Sequence, residues 1–135
     1  MPRGTLEVIL ISAKDLKDSD FFGKMDPYVI LTYRAQEHRS SVAKGEGSKP
    51  RWNESFLFTV SDSVSELNLR LMDQDLLTSD DFLGDAKINL EPVFAVGSIP
   101  ETSYNVVKDQ KYCGEIKVAL TFNPERGSGL GYGDE

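Results

Sequence analysis

Apolar residues recur at every second position along nearly the whole chain, and this period of two is what most constrains the fold. Leu6, Val8 and Leu10 alternate with Thr5, Glu7 and Ile9. Trp52, Phe56, Phe58 and Val60 share one face of "WNESFLFTV", and Leu67, Leu69 and Leu71 share one face of "ELNLRLM". Ala86, Ile88 and Leu90 repeat the pattern, and Ile116, Val118, Leu120 and Phe122 repeat it again in "GEIKVALTF". Strand side chains point to alternate faces, so each segment reads as a strand with one buried side. "YVILTY" (28–33), "SSVAK" (40–44) and the weaker "SYNVV" (103–107) bring the number to about eight. Only "NLEPVFAVGS" (89–98) holds room for a helical turn, limited by Pro92. Short strands at regular spacing predict an all-β, eight-stranded antiparallel β-sandwich.

With 135 residues, one domain with a usable core is expected. We place it at 1–123, followed by a mobile Gly-rich tail at 124–135. A net charge of −7 argues against a surface that grips nucleic acid. Cys113 is the single cysteine, so no internal disulfide forms and a reducing, cytoplasmic setting is the simple expectation. The N-terminus shows no secretory leader pattern, and no stretch is long and apolar enough to span a membrane.

Two strand ends carry unusual charge. "MDQDLLTSDDFLG" (72–84) places Asp73, Asp75, Asp80 and Asp81 after one strand and before the next. "KDLKDSDFFGKMDPYV" (14–29) holds Asp15, Asp18, Asp20 and Asp26 after the first strand. Either cluster alone reads as a solvated acidic loop. Loops of a sandwich gather at its two ends, so the clusters meet if both lie at the same end. Asp20, Asp26, Asp73, Asp75 and Asp81 then share a small volume. Like charges at about 4 Å repel by on the order of 1 kcal/mol in water, and more where water is excluded. A hard divalent cation relieves that repulsion. Ca²⁺ suits it best, taking six to eight oxygens in flexible geometry. Asp73 and Asp75, two apart, point the same way, and the carbonyls of Gln74 and Phe21 add further oxygens. Asp18 and Asp80 are read as solvated acids.

Rival chemistries fit less well. Counted from Asp73 as an EF-hand, the glycine position holds Thr78 and the final glutamate position holds Gly84. His38, the one histidine, lies in the polar "RAQEHRSS" and reads as a surface residue. Cys113 has no second histidine to activate it and reads as a structural or incidental thiol. "GSGLGYG" lacks the strand and helix that would frame a phosphate loop. Trp52, on an inward face, reads as packing. No catalytic residues are assigned, and the chain is read as a non-enzyme.

Three segments in order resemble a known family. "GKMDPYVIL", "KPRWNESFLF" and "MDQDLLTSDDFLG" resemble the Gly-Lys-x-Asp-Pro-Tyr-Val, Pro-x-Trp-Asn-Glu and third-loop Asp-x-Asp…Asp-Phe-Leu-Gly motifs of C2 domains. The resemblance covers roughly residues 4–123. It implies calcium ligands at Asp20, Asp26, Asp73, Asp75 and Asp81, with Thr78 at a position that sometimes assists a further ion. The final strand resembles one that begins other C2 domains, which implies the circularly permuted, type II order. A free-standing C2 domain of this size resembles the small plant proteins of the elicitor-responsive and phloem type.

The resemblance further implies Ca²⁺-dependent docking on anionic phospholipid by a monomeric protein that moves from cytoplasm to plasma membrane in calcium or defence signalling. Phe22, Lys24, Leu76 and Leu77 are the expected membrane contacts; Phe22 and Leu77 are read as inserting, while Phe21 and Leu76 are left open between insertion and core. Arg34, Arg39, Lys44, Lys49 and Arg51 form a candidate basic patch. The competing reading is a small carrier or adaptor for RNA or a protein partner. The acidic charge and the absence of an arginine-rich arm speak against RNA.

Overall fold

The computed structural model describes residues 2–17 and 24–125. The described chain runs β1 (Gly4–Lys14), β2 (Pro27–Tyr33), β3 (Gln36–Arg39), β4 (Arg51–Val60), β5 (Glu66–Asp73), β6 (Asp81–Asn89), α1 (Glu91–Val96), β7 (Ser98–Lys108) and β8 (Lys111–Pro124). All strand pairs are antiparallel, in the order β3-β2-β5-β6-β7-β8-β1-β4. β6 meets β7 at one bridge, Asp85 to Val107. At that weak seam the sheet divides into two four-stranded layers, β3-β2-β5-β6 and β7-β8-β1-β4.

The alternating apolar residues meet between these layers. Leu6, Val8, Leu10, Leu31, Leu67, Leu69, Leu71, Ile116 and Val118 have no solvent exposure at all. Val29, Phe58, Ile88, Leu120 and Trp52 join the same core. The indole Nε1 of Trp52 is buried without a hydrogen-bond partner among the described residues. At the seam, β6 approaches β7 so closely that a Cβ on Gly84 would lie 2.7 Å from Val106 Cγ1, and its φ of +143° favours glycine too.

β3 and β4 lie at opposite ends of the sheet order, and side chains join them. The Gln36 amide donates from Nε2 to the Thr59 carbonyl at 2.7 Å and accepts the Thr59 N–H on Oε1 at 2.8 Å. His38 Nε2 donates to the Leu57 carbonyl at 2.9 Å, and its ring stands edge-on to Phe58 at 4.9 Å. The sheet is therefore nearly closed, and the β4 edge is covered rather than open to a foreign strand.

Several local readings change. The strand that pairs back on β2 is "QEHR" (36–39), not "SSVAK" (40–44). Residues 40–44 run on irregularly, anchored by the Ser40 and Ala43 N–H groups donating to the Val29 and Pro27 carbonyls. His38 is consequently half-buried on the inward side of β3, opposite Leu31, rather than a surface residue. β7 is an eleven-residue strand, well beyond 103–107. The helical turn expected near Pro92 is α1, with Pro in its first turn as its missing N–H allows. β8 continues through Pro124, where it still pairs with Gly4, so the start of the expected tail belongs to the sheet. The rest of that tail, 126–135, lies outside the described residues.

Candidate metal centre

Register decides which acids meet. Asp73 ends β5, directly between Pro27 on β2 and Asp81 on β6. Asp26 precedes Pro27, so Asp26, Asp73 and Asp81 form a short row across three strand ends. The backbone locks the row: the Asp26 N–H donates to Asp73 Oδ1 at 2.9 Å, and the Gln74 N–H donates to the Asp26 carbonyl at 3.0 Å. The Gly45 N–H donates to Asp26 Oδ1 at 2.6 Å, which ties the 40–50 segment to the same point. Asp73 and Asp81 line a cavity of about 270 Å³, together with Lys17, Phe82, Leu83, Lys108 and Cys113. The two acidic loops therefore share one pole as far as the described residues reach. Asp20, Phe21 and Phe22 lie outside them.

The remaining acids of the second loop shape the loop itself. Asp75 Oδ1 accepts the N–H groups of Leu77 and Thr78 at 2.9 and 3.2 Å, and its Oδ2 accepts the Thr78 hydroxyl at 2.7 Å. The Thr78 hydroxyl, then these two amides, hold the Asp75 carboxyl below the usual carboxylate range. Asp80 Oδ1 accepts the Asp75 N–H at 3.0 Å, and its Oδ2 accepts the Tyr28 hydroxyl. The Asp75 amide, then the Tyr28 hydroxyl, lower the Asp80 carboxyl as well. Tyr28 is pushed up, first by burial and then by Asp80. Asp80 is thus a half-buried latch between the loop and β2, where a solvated acid was expected. Sequence alone offered no signal for this, because Asp80 and Asp81 are chemically identical neighbours.

Among the described residues, no three acidic, histidine or cysteine side chains surround a common point as a metal cage does. Asp75 is turned into its own loop, and Asp26 toward Gly45. The side chains of the row offer oxygen alone, the donor type that a hard cation takes.

Other expected contacts separate. Leu76 and Leu77 stand 78% and 94% exposed at the loop tip, so neither is a core residue. Lys24 is exposed beside Gly47. Lys44, Lys49 and Arg51 are exposed on the 40–51 stretch at the same pole. Arg39 lies over the Tyr28 ring at 4.7 Å. Arg34 leaves the group: it sits in the β2–β3 turn at the opposite end and pairs with Asp62. Arg70, unflagged in the sequence, joins the outer face beside Ile30 and stacks over Phe82 at 4.3 Å. Its signal was the outward phase of "ELNLRLM".

Residues 4–120 match the C2 domain family model. The 16 kDa phloem protein 2 of Arabidopsis thaliana is 56% identical across the whole chain and 92% of its own length. Elicitor-responsive protein 3 of Oryza sativa subsp. japonica is 53% identical across the whole chain and 94% of its own. A calcium-bound structure of two C2 domains of Extended-Synaptotagmin 2 superposes with a TM-score of 0.77 at 30% identity, over 90% of this chain and 46% of that one. The motifs, the eight-stranded antiparallel architecture and these matches together establish that the chain belongs to the C2 domain family.

Proposed function

We propose that this protein is a Ca²⁺-dependent phospholipid-binding module and not an enzyme. The observation that carries the reading is the row of Asp26, Asp73 and Asp81 locked across three strand ends. These acids, with Asp20 and Asp75, would hold the ions, helped by the Gln74 and Phe21 carbonyls and the Thr78 hydroxyl. Asp75 must release its bonds to Leu77 and Thr78 to take part. Two bound Ca²⁺ would bring the formal charge from −7 to about −3 and leave open coordination positions for lipid phosphate.

The surrounding residues suit a membrane surface. Leu76 and Leu77 project at the tip, and burying a leucine side chain fully is worth about 1.5–3 kcal/mol. Lys24, Lys44, Lys49 and Arg51 are exposed on the segments tied to Asp26, at roughly 1 kcal/mol each near anionic headgroups. Arg39 and Arg70 extend the positive face outward. No described helix is long and apolar enough to cross a membrane. The name elicitor-responsive protein, carried by a relative, fits a role in defence signalling; recruitment from cytoplasm to plasma membrane as calcium rises is part of the same proposal.

Vesicle co-sedimentation over a range of Ca²⁺ and phosphatidylserine content tests this. Binding that requires both is expected. Binding indifferent to chelator, or RNA binding that survives moderate salt without calcium, would replace the reading with the carrier one.

A further inference from the structure

The β7–β8 hairpin stands at the acidic pole, yet nothing in the calcium reading uses it. Its two-residue turn has Asp109 and Gln110 at φ of 53° and 67°, the left-handed pair of a tight hairpin. Lys108 and Lys111 therefore face each other directly across the strands. Like charges in that position destabilise a hairpin. Neither lysine has a carboxylate within ion-pair distance among the described residues; the nearby Glu115 is taken by Lys14 at 3.9 Å and by the Tyr112 hydroxyl at 3.1 Å. Lys108 Nζ has only the face of Phe82, at 6.0 Å from the ring centroid, which supplies no counter-charge. The next pair inward, Val107 and Tyr112, is 37% and 46% exposed. Lys108 and Cys113 line the cavity that holds Asp73 and Asp81, so the hairpin borders the proposed metal centre.

We propose that this hairpin is a further contact of the pole with anionic phospholipid, made by Lys108 and Lys111, with Tyr112 lying in the headgroup layer. The inference rests on the membrane-docking reading. A bilayer carrying negative headgroups supplies the direct ion pairs that neither lysine makes among the described residues. Tyr112 has the apolar body and polar tip that suit an interface. Charge repulsion tolerated in the free protein becomes attraction at the surface.

The test compares wild type, Lys108→Gln/Lys111→Gln and Asp75→Asn by co-sedimentation. Vesicles of phosphatidylcholine with and without phosphatidylserine are used, in Ca²⁺ and in chelator at low salt. Each lysine is expected to contribute about fivefold in binding to the anionic vesicles, and the pair about 25-fold. The double variant should melt at the same temperature as wild type or higher, because it loses a repulsive pair. Its calcium binding without lipid should not weaken, since positive charge near a cation pocket has been removed. A double variant that sediments like wild type on anionic vesicles in both conditions overturns the proposal, as does loss of binding with a lowered melting temperature. Failure of the calcium reading looks different: wild type and Asp75→Asn would then bind alike with and without Ca²⁺, while the lysine dependence persists.

Discussion

The two ends of this sandwich are built on opposite principles. At one end, α1 and the β4–β5 connection close over the core with Leu90 and Val93 fully buried, and Phe94 stands edge-on to Phe122 at 5.0 Å. A cavity of about 720 Å³ lies there, lined in part by Phe94, Ala95, Phe122 and Pro124. At the other end, Asp26, Asp73, Asp75, Asp80 and Asp81 crowd three strand ends and a loop, where Asp26, Asp73, Asp75 and Asp80 accept hydrogen bonds from backbone amides and from the Thr78 and Tyr28 hydroxyls. One end is stabilised by packing. The other is held in shape despite its charge, which is what the proposed cation site requires.

Substitutions should divide along that line. Leu90→Ala is expected to have the largest effect on stability, costing about 2–5 kcal/mol because it leaves a cavity under α1. Calcium affinity per folded molecule should not change. Denaturant melts paired with calcium titrations would measure both; a large loss of calcium affinity would blur the division between ends.

Calcium itself comes next. Ligand at about 100 times its dissociation constant should stabilise the fold by about 2.7 kcal/mol per independent site. A melting temperature that ignores millimolar Ca²⁺ would make the acidic end merely acidic.

A smaller effect is expected for Tyr28→Phe. The variant keeps the buried ring but removes the hydroxyl that Asp80 accepts. The second acidic loop should loosen, with faster hydrogen exchange at the Asp75 amide and a few-fold weaker calcium binding, on the order of one lost hydrogen bond. Unaltered exchange at Asp75 would return Asp80 to the role of a solvated acid.

The smallest effect is in pH. Asp75 and Asp80 both titrate below their ordinary 3.8 in the folded chain. Their contribution is therefore complete above that value and is lost as pH falls through the depressed folded values. Amide signals of Leu77 and Thr78 should shift only below about pH 4, as the Asp75 carboxylate that accepts them becomes protonated. Tyr28, pushed above its ordinary 10.0, acts in the opposite sense: its contribution holds below that value and disappears as pH rises through the folded one.

Much of this was legible in the chain. Period-two alternation located the inward faces of β1, β4, β5, β6 and β8, because apolar burial imposes it directly. The paired motifs pointed to Asp26, Asp73 and Asp81, and register then placed them side by side. Alternation does not say which strands are neighbours, so the shift from 40–44 to Gln36–Arg39 and the inward turn of His38 were hidden. Arg70 was visible as outward-facing, but its stacking on Phe82 depends on β5–β6 register. Asp80 could not be told from its neighbour, since a latch and a solvated acid have the same side chain. Lys108 and Lys111 looked like ordinary surface charge until the turn set them face to face.

Calorimetric titration of Ca²⁺ into wild type and Asp75→Asn, with circular dichroism on both, tests the central claim most directly. The account predicts saturable calcium heats in wild type that are weakened by about tenfold or more in an equally folded Asp75→Asn, as expected when a site loses one ligand charge. Identical heats in the two proteins, or none in wild type, would contradict it.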